Sequence, residues 1–190
     1  MHDTEKRKLK MNKEYERIHD GWMELILRYP WYYFFTLTFR DTVHPEQAEK
    51  AFKYFLCEIN KRLYGASWRH HRLQMKYFIA IERQRRQVIH FHVILYTPKR
   101  PLMTWIQLAG FAMLWWKIAG FNKLEFIRDV ENVADYCSKY VYKGGELYTN
   151  LTKKDSRLST TGNNGRQNVG NNVLTGDAGA TTSDRGCPVM

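Results

Sequence analysis

Two histidines separated by one residue are the first chemical signal in this chain. Residues 90–96 read HFHVILY, so His90 and His92 alternate with apolar side chains. This alternation predicts a β-strand, in which both imidazoles lie on one face, about 7 Å apart at their Cα atoms. Imidazole is a common metal ligand. The pair is therefore a candidate metal site, although two surface histidines on the wet side of a half-exposed sheet would give the same pattern.

A carboxylate on the preceding segment is a possible third ligand. Residues Met75–Arg83 and Gln87–Tyr96 predict two strands joined by a short basic turn, which makes an antiparallel hairpin. Glu82 then lies roughly opposite residues 88–90, and the register decides whether it shares the face of the histidines. Two histidines and one carboxylate with open positions would suit Mg²⁺ or Mn²⁺ and would polarise a phosphoryl oxygen.

The segment DVENVADYCSKYVYKGG, residues 129–145, predicts an amphipathic helix with tyrosines beside its apolar stripe. The neighbouring face carries Tyr136, Lys139, Tyr140 and Lys143. Tyrosines at i and i+4 project together, and a nearby lysine favours the nucleophilic phenolate and can bind phosphate. Taken alone, the segment is explained more simply by tyrosines at the edge of a core and solvated lysines.

The charge balance indicates an anionic partner. The chain has 30 Lys and Arg against 19 Asp and Glu, a formal net charge of +11, which favours nucleic acid over a membrane surface. Five arginines in or near the predicted hairpin turn could bind phosphates or a DNA hairpin groove: Arg69, Arg72, Arg83, Arg85 and Arg86. A solvated turn, charged for solubility, explains any single one of them equally well.

The cysteines predict neither a disulfide framework nor a zinc finger. Cys57, Cys137 and Cys187 are odd in number, far apart and never in a CxxC pattern. This usage fits a reducing intracellular setting, and we expect a cytoplasmic protein.

The order of predicted elements is strand, helix, strand, strand, helix, strand, helix. The first strand is WYYFFTLTF, residues 31–39, and the tyrosine helix comes last. A hairpin between helices is typical of the split βαβ pattern. We therefore predict an α+β fold with an antiparallel central sheet and helices packed on one face, ferredoxin-like or RNA-recognition-like, which leaves the other face for a site.

The apolar stretch from Leu102 to Phe121 is about long enough to span a bilayer. Gln107 and Lys117 lie inside it, and Gly120 stands where a helix C-cap glycine would. These residues favour a buried helix of a soluble domain, so we expect no membrane partner.

The composition divides the chain into three parts. Residues 1–25 form a basic N-terminal extension, either helical or disordered, and residues 26–149 form the folded domain. No Phe, Trp or Tyr follows Tyr148, and Gly, Asn, Thr and Ser dominate from there on. We therefore expect residues 150–190 to be a disordered tail.

Three segments in this order, FFTLTF, HFHVILY and YCSKYVYK, resemble the three motifs of the HUH endonucleases, which include the rolling-circle replication initiators. The resemblance covers roughly Trp31 to Lys143. The paired tyrosines are most similar to those in initiators of small single-stranded-DNA phages and of some plasmids.

The resemblance implies a site and a reaction. His90 and His92 would be metal ligands with Glu82 as the third, and Tyr136 and Tyr140 the candidate nucleophiles. Attack on a scissile phosphate would leave a 5′-phosphotyrosine link and a free 3′-hydroxyl, with Lys139 or Lys143 stabilising charge. The substrate would be single-stranded or hairpin origin DNA. The sequence has no Walker-type stretch, so host helicase and polymerase would be partners.

Two alternatives remain. A mobilisation relaxase or single-strand transposase would share the chemistry, although relaxases commonly place the nucleophile before the histidines, whereas Tyr136 follows His92. A non-catalytic module of RNA-recognition type would bind single strands by stacking bases on aromatic residues. That module would not need the histidine pair and the tyrosine helix together.

Overall fold

The computed structural model describes residues 2–70, 74–83, 88–99, 102–142, 146–151 and Cys187. These residues form four helices and five strands. In chain order they are α1 (His2–Leu27), β1 (Tyr33–Thr38), α2 (Pro45–Tyr64), β2 (Lys76–Arg83), β3 (Ile89–Tyr96), α3 (Trp105–Ile118), β4 (Asn122–Phe126), α4 (Val130–Tyr142) and β5 (Glu146–Thr149).

The strands form one antiparallel sheet in the order β4-β1-β3-β2-β5. Strand β1 lies inside the sheet because its alternating aromatic and β-branched residues suit a strand with neighbours on both edges. The hairpin of β2 and β3 pairs along its whole length. The predicted α+β class with an antiparallel central sheet is confirmed.

The helices cover both faces of the sheet, which differs from the expectation that they pack on one face only. On one face, Phe35 of β1 and Phe91 of β3 pack with α2 and with the fully buried Trp115 of α3. On the other face, Ile94 of β3 packs with residues of α1 and α4, including the buried Cys137. The difference arises because α1 and α4 each carry an apolar stripe that must be buried.

Helix α1 runs across the boundary expected at residue 26. The ring of Trp22 packs edge-on against Phe78 of β2 at 5.6 Å, and Ile26 is buried in the same cluster. His19 Nε2 lies 3.1 Å from a carboxylate oxygen of Asp135 on α4. Helix α1 therefore supports α4 directly. Of the expected tail, residues 150, 151 and 187 lie within the described part of the chain.

Helix α3 begins and ends at the residues that its sequence indicates. Thr104 forms a capping box with Gln107, and Gly120 follows the helix with φ +145°. In the part of the chain that the structure describes, no helix combines the length and the apolar character needed to cross a bilayer.

Gly120 is required by its surroundings as well as by its φ angle. A Cβ atom at this position would lie 2.6 Å from the backbone nitrogen of Arg40. We expect Gly120→Ala to lower the free energy of unfolding by about 2–3 kcal/mol in urea denaturation. Gly110→Ala on α3 is the matched control, because a Cβ there meets nothing within 4 Å and should stabilise the helix by about 0.5–1 kcal/mol. Equal effects of the two changes would contradict the assigned backbone conformation.

Cys57 and Cys187 form a disulfide bond across 130 positions of sequence, with their Cα atoms 5.8 Å apart. The prediction that the cysteines form no disulfide is therefore wrong. Pairing requires Cα atoms closer than about 7 Å, and only the path of the chain in space decides that distance. The argument from cysteine spacing for a reducing compartment falls with it.

The thiols should react in a defined order. Burial raises the pKa of the remaining thiol, Cys137, to about 12, and its side chain is fully enclosed. We expect a thiol reagent to titrate no group in the native oxidised protein, one after unfolding, and three after unfolding with a reductant. Three thiols in the unfolded protein without a reductant would contradict the disulfide, and a Cys137→Ala variant should lose one thiol from the last two counts.

Candidate functional site

The hairpin register places Glu82 on the same face as the two histidines. Glu82 of β2 pairs directly with His90 of β3, and Ala80 pairs with His92. On the other side of β3, Thr36 and Thr38 of β1 stand opposite the same two histidines. Directly opposite residues share a face of an antiparallel sheet. The carboxylate whose position the sequence left open therefore belongs to the histidine face.

The histidine side chains make short polar contacts on this face. His92 is 3% exposed, and its Nε2 lies 3.1 Å from Glu82 Oε2. His90 Nδ1 lies 3.1 Å from Thr38 Oγ1. The two imidazole rings are 6.5 Å apart between centroids. Threonine and carboxylate thus orient the imidazoles through one nitrogen each.

Helix α4 places both tyrosines against His92. The ring of Tyr140 stacks on the imidazole at 4.6 Å, and the ring of Tyr136 meets it edge-on at 5.2 Å. The Tyr140 hydroxyl donates a hydrogen bond of 2.6 Å to the Tyr136 hydroxyl oxygen. Phe34 of β1 supports Tyr136 from the sheet at 5.7 Å. The histidine strand and the tyrosine helix, 40 or more residues apart in sequence, therefore form one site.

The two tyrosines differ in their access to solvent. Tyr136 is 39% exposed and Tyr140 is 4% exposed. Burial, the hydrogen bond to Tyr136 and the nearby Glu82 carboxylate raise the pKa of Tyr140 far above its ordinary value, so this phenol stays protonated. Tyr136 therefore offers the accessible hydroxyl oxygen, and Tyr140 is its buried donor.

The residue types fit a divalent ion. Burial lowers the pKa of His90, against the opposing effect of Glu82, and thus favours the neutral imidazole that binds metals. His90 Nε2 is buried and has no hydrogen-bond partner among the described residues. Within the same residues, no three His, Cys, Asp or Glu side chains are already grouped for one ion. An ion at His90, His92 and Glu82 would thus replace the contact between His92 and Glu82.

Other residues predicted for the site have partners elsewhere. Lys139 forms an ion pair with Asp135 on its own helix and lowers the pKa of that carboxyl. Arg69 stacks on Trp68 at 4.6 Å and donates to Cys57 Sγ. Arg83 lies 3.7 Å from Glu146 of β5. Arg72, Arg85, Arg86 and Lys143 lie outside the described residues.

The structure adds residues that sequence patterns did not single out. Thr36 and Thr38 line the histidine face on β1, and Lys123 of β4 stands opposite Thr36 in the next strand. Lys123 and His92 therefore flank Thr36 in one row across the sheet. The polar alternation of TLT in β1 and of KLE in β4 was the available signal, but the pairing of β4 with β1 was needed to use it.

The architecture is that of an α+β protein in which a tyrosine pair packs on a histidine-carboxylate face of an antiparallel sheet. Residues 32–145, more than half of the chain, match the family described as replication-associated protein of the ORF2 type. The chain belongs to this family, and the match includes the histidine strand and the tyrosine helix. The prediction of a replication initiator is confirmed at the level of the family. No curated protein and no solved structure matches significantly.

Proposed function

We propose that the protein nicks single-stranded origin DNA by attack of Tyr136 on a scissile phosphate and rejoins ends in rolling-circle replication. The observation that supports this best is the contact of both tyrosines with His92, on the face that also carries His90 and Glu82. A nucleophile beside groups that bind and orient a phosphate is what phosphoryl transfer requires. Membership in a replication-associated family agrees with the reaction.

The reaction exchanges one ester for another. The Tyr136 oxygen forms a bond to phosphorus, the bond from phosphorus to the 3′-oxygen breaks, and the phenol proton is lost as the leaving 3′-oxygen gains one. The products are a 5′-phosphotyrosine and a free 3′-hydroxyl. Tyr140 donates a hydrogen bond to the attacking oxygen and stabilises charge that develops there. Because the ester energy is kept in the phosphotyrosine, rejoining needs no nucleotide cofactor.

His90, His92 and Glu82 would hold Mg²⁺ or Mn²⁺, which supplies charge neutralisation at the phosphoryl oxygens when bound. Thr38 orients His90 through Nδ1 and leaves Nε2 for a ligand. The stacked ring of Tyr140 excludes water from one face of His92. Lys143 and the hairpin arginines would bind the DNA backbone, and host helicase and polymerase would extend the 3′ end.

The test is formation of a covalent protein–DNA adduct. Purified protein is incubated with a labelled pool of single-stranded DNA that includes the replicon's own origin, with Mn²⁺ or with EDTA, and run on a denaturing gel. We expect an adduct that requires the metal and disappears in the Tyr136→Phe, Tyr140→Phe double variant. DNA binding without any adduct would instead support the non-catalytic binding module.

A further inference from the structure

An exposed aromatic pair lies at the free edge of the sheet, beside the histidine face. The Thr38 backbone N–H donates a 2.8 Å hydrogen bond to the Phe121 carbonyl, which extends the β1–β4 register one residue beyond Asn122. Since Thr38 also stands opposite His90, Phe121 and His90 flank one residue. Two strand spacings, about 10 Å, separate their backbones.

The aromatic pair is held in place by α3 and by the end of β1. The rings of Phe121 and Trp116 meet edge-on at 5.1 Å, and they are 55% and 49% exposed. The Arg40 guanidinium lies 5.5 Å from the centre of the Trp116 ring and donates to its carbonyl oxygen. A groove of about 270 Å³ continues from Trp116 along α3, with Lys117 at its edge. Both rings thus keep exposed surface in a fixed arrangement.

The charge around this pair suits a polyanion. No Asp or Glu occurs between Leu102 and Asn122, whereas Arg40, Lys117 and Lys123 lie in or next to this surface. Lys123 is 70% exposed and its partner Glu125, at 3.0 Å, is 44% exposed. An exposed ion pair of this kind is weak, so a phosphate can compete for the lysine.

We infer that Phe121 and Trp116, with Arg40 and Lys123, form a binding subsite for single-stranded DNA next to the histidines. A base would stack on the exposed aromatic surface while the cations bind the adjoining phosphates. The inference rests on the proposed function and names where the strand runs beyond the scissile phosphate. Continuity with the histidine row and the flanking cations favour DNA over a protein partner, for which apolar contacts without cations would suffice.

The test measures affinity for a fluorescein-labelled oligo-dT of about 12 nucleotides by anisotropy. Phe121→Ala and Phe121→Leu should both weaken binding about tenfold, because leucine keeps the apolar surface but cannot stack. Phe121→Tyr should bind like the unchanged protein. Lys123→Gln should reduce the slope of log affinity against log salt by about one, and Glu125→Gln should increase affinity. Ile106→Ala, 85% exposed on the same helix, is the matched control and should have no effect.

The adduct assay is run in parallel so that the two proposals fail separately. Adduct formation by the unchanged protein with normal oligo-dT affinity in Phe121→Ala and Phe121→Leu would overturn the subsite and leave nicking intact. Binding that depends on Phe121 without any adduct would support the subsite and overturn nicking. A change of sedimentation at normal DNA affinity would also overturn the subsite and identify a self-association surface. Circular dichroism confirms that each variant is folded.

Discussion

Tyr136→Phe is expected to abolish the covalent adduct while single-stranded DNA binding stays within about twofold of the unchanged protein. The change removes one oxygen and keeps the ring that packs on His92 and Phe34. Tyr136 is the nucleophile in this proposal because its hydroxyl is accessible and accepts the hydrogen bond from Tyr140. The measurement is the amount of adduct on a denaturing gel, with oligonucleotide anisotropy on the same sample.

Tyr140→Phe should give a smaller loss. The variant keeps the stacked ring but removes the donor to the attacking oxygen, and a hydrogen bond to a charged group contributes about 1.5–3 kcal/mol. The rate of adduct formation should therefore fall about 10- to 100-fold. Tyr148→Phe is the matched control, since Tyr148 is 41% exposed, close to the value for Tyr136, but lies on β5 and bonds to Glu146. An adduct that survives in Tyr136→Phe and is lost in Tyr140→Phe would reverse the two roles.

The second large effect is expected at the histidines. His90→Ala should slow adduct formation by at least about 100-fold and weaken Mn²⁺ binding by a similar factor, because it removes a ligand. His90 is a cleaner target than His92, whose ring also supports both tyrosines. Mn²⁺ binding is followed by calorimetry, which reads the metal site independently of nicking.

The control for this prediction is His44→Ala. His44 is exposed and precedes α2 without a side-chain capping bond, so its loss should change neither measurement. Unchanged Mn²⁺ affinity and unchanged adduct formation in His90→Ala would show that the histidine pair is not the metal site. A loss of adduct with unchanged Mn²⁺ affinity would assign His90 to phosphate orientation instead.

The local elements could be predicted from the sequence because they are encoded by short-range patterns. Alternation over β1 and β3, the short hairpin connection, the capping box at Thr104 and the glycine after α3 all depend on residues within a few positions of one another. The histidines on one face and the tyrosines one helical turn apart follow from the same periodicities. The residue types that carry the chemistry were therefore evident from the order of amino acids.

Other features of the site depend on contacts between distant segments. Glu82 joins the histidine face through the hairpin register, Tyr140 stacks on His92 through the packing of α4, and Phe121 approaches His90 through the pairing of β4 with β1. The disulfide between Cys57 and Cys187 is the extreme case. None of these distances is encoded in local spacing.

Composition and periodicity were enough to predict the strands, the helices, the net charge and the residue types that could bind a metal or attack a phosphate. They could not predict which of two similar tyrosines is accessible or which cations are already paired, as Lys139 is with Asp135. Periodicity sets the direction of a side chain relative to its own element. Burial, register and hydrogen bonding follow instead from the elements that pack against it, so these features were fixed only when the chain folded.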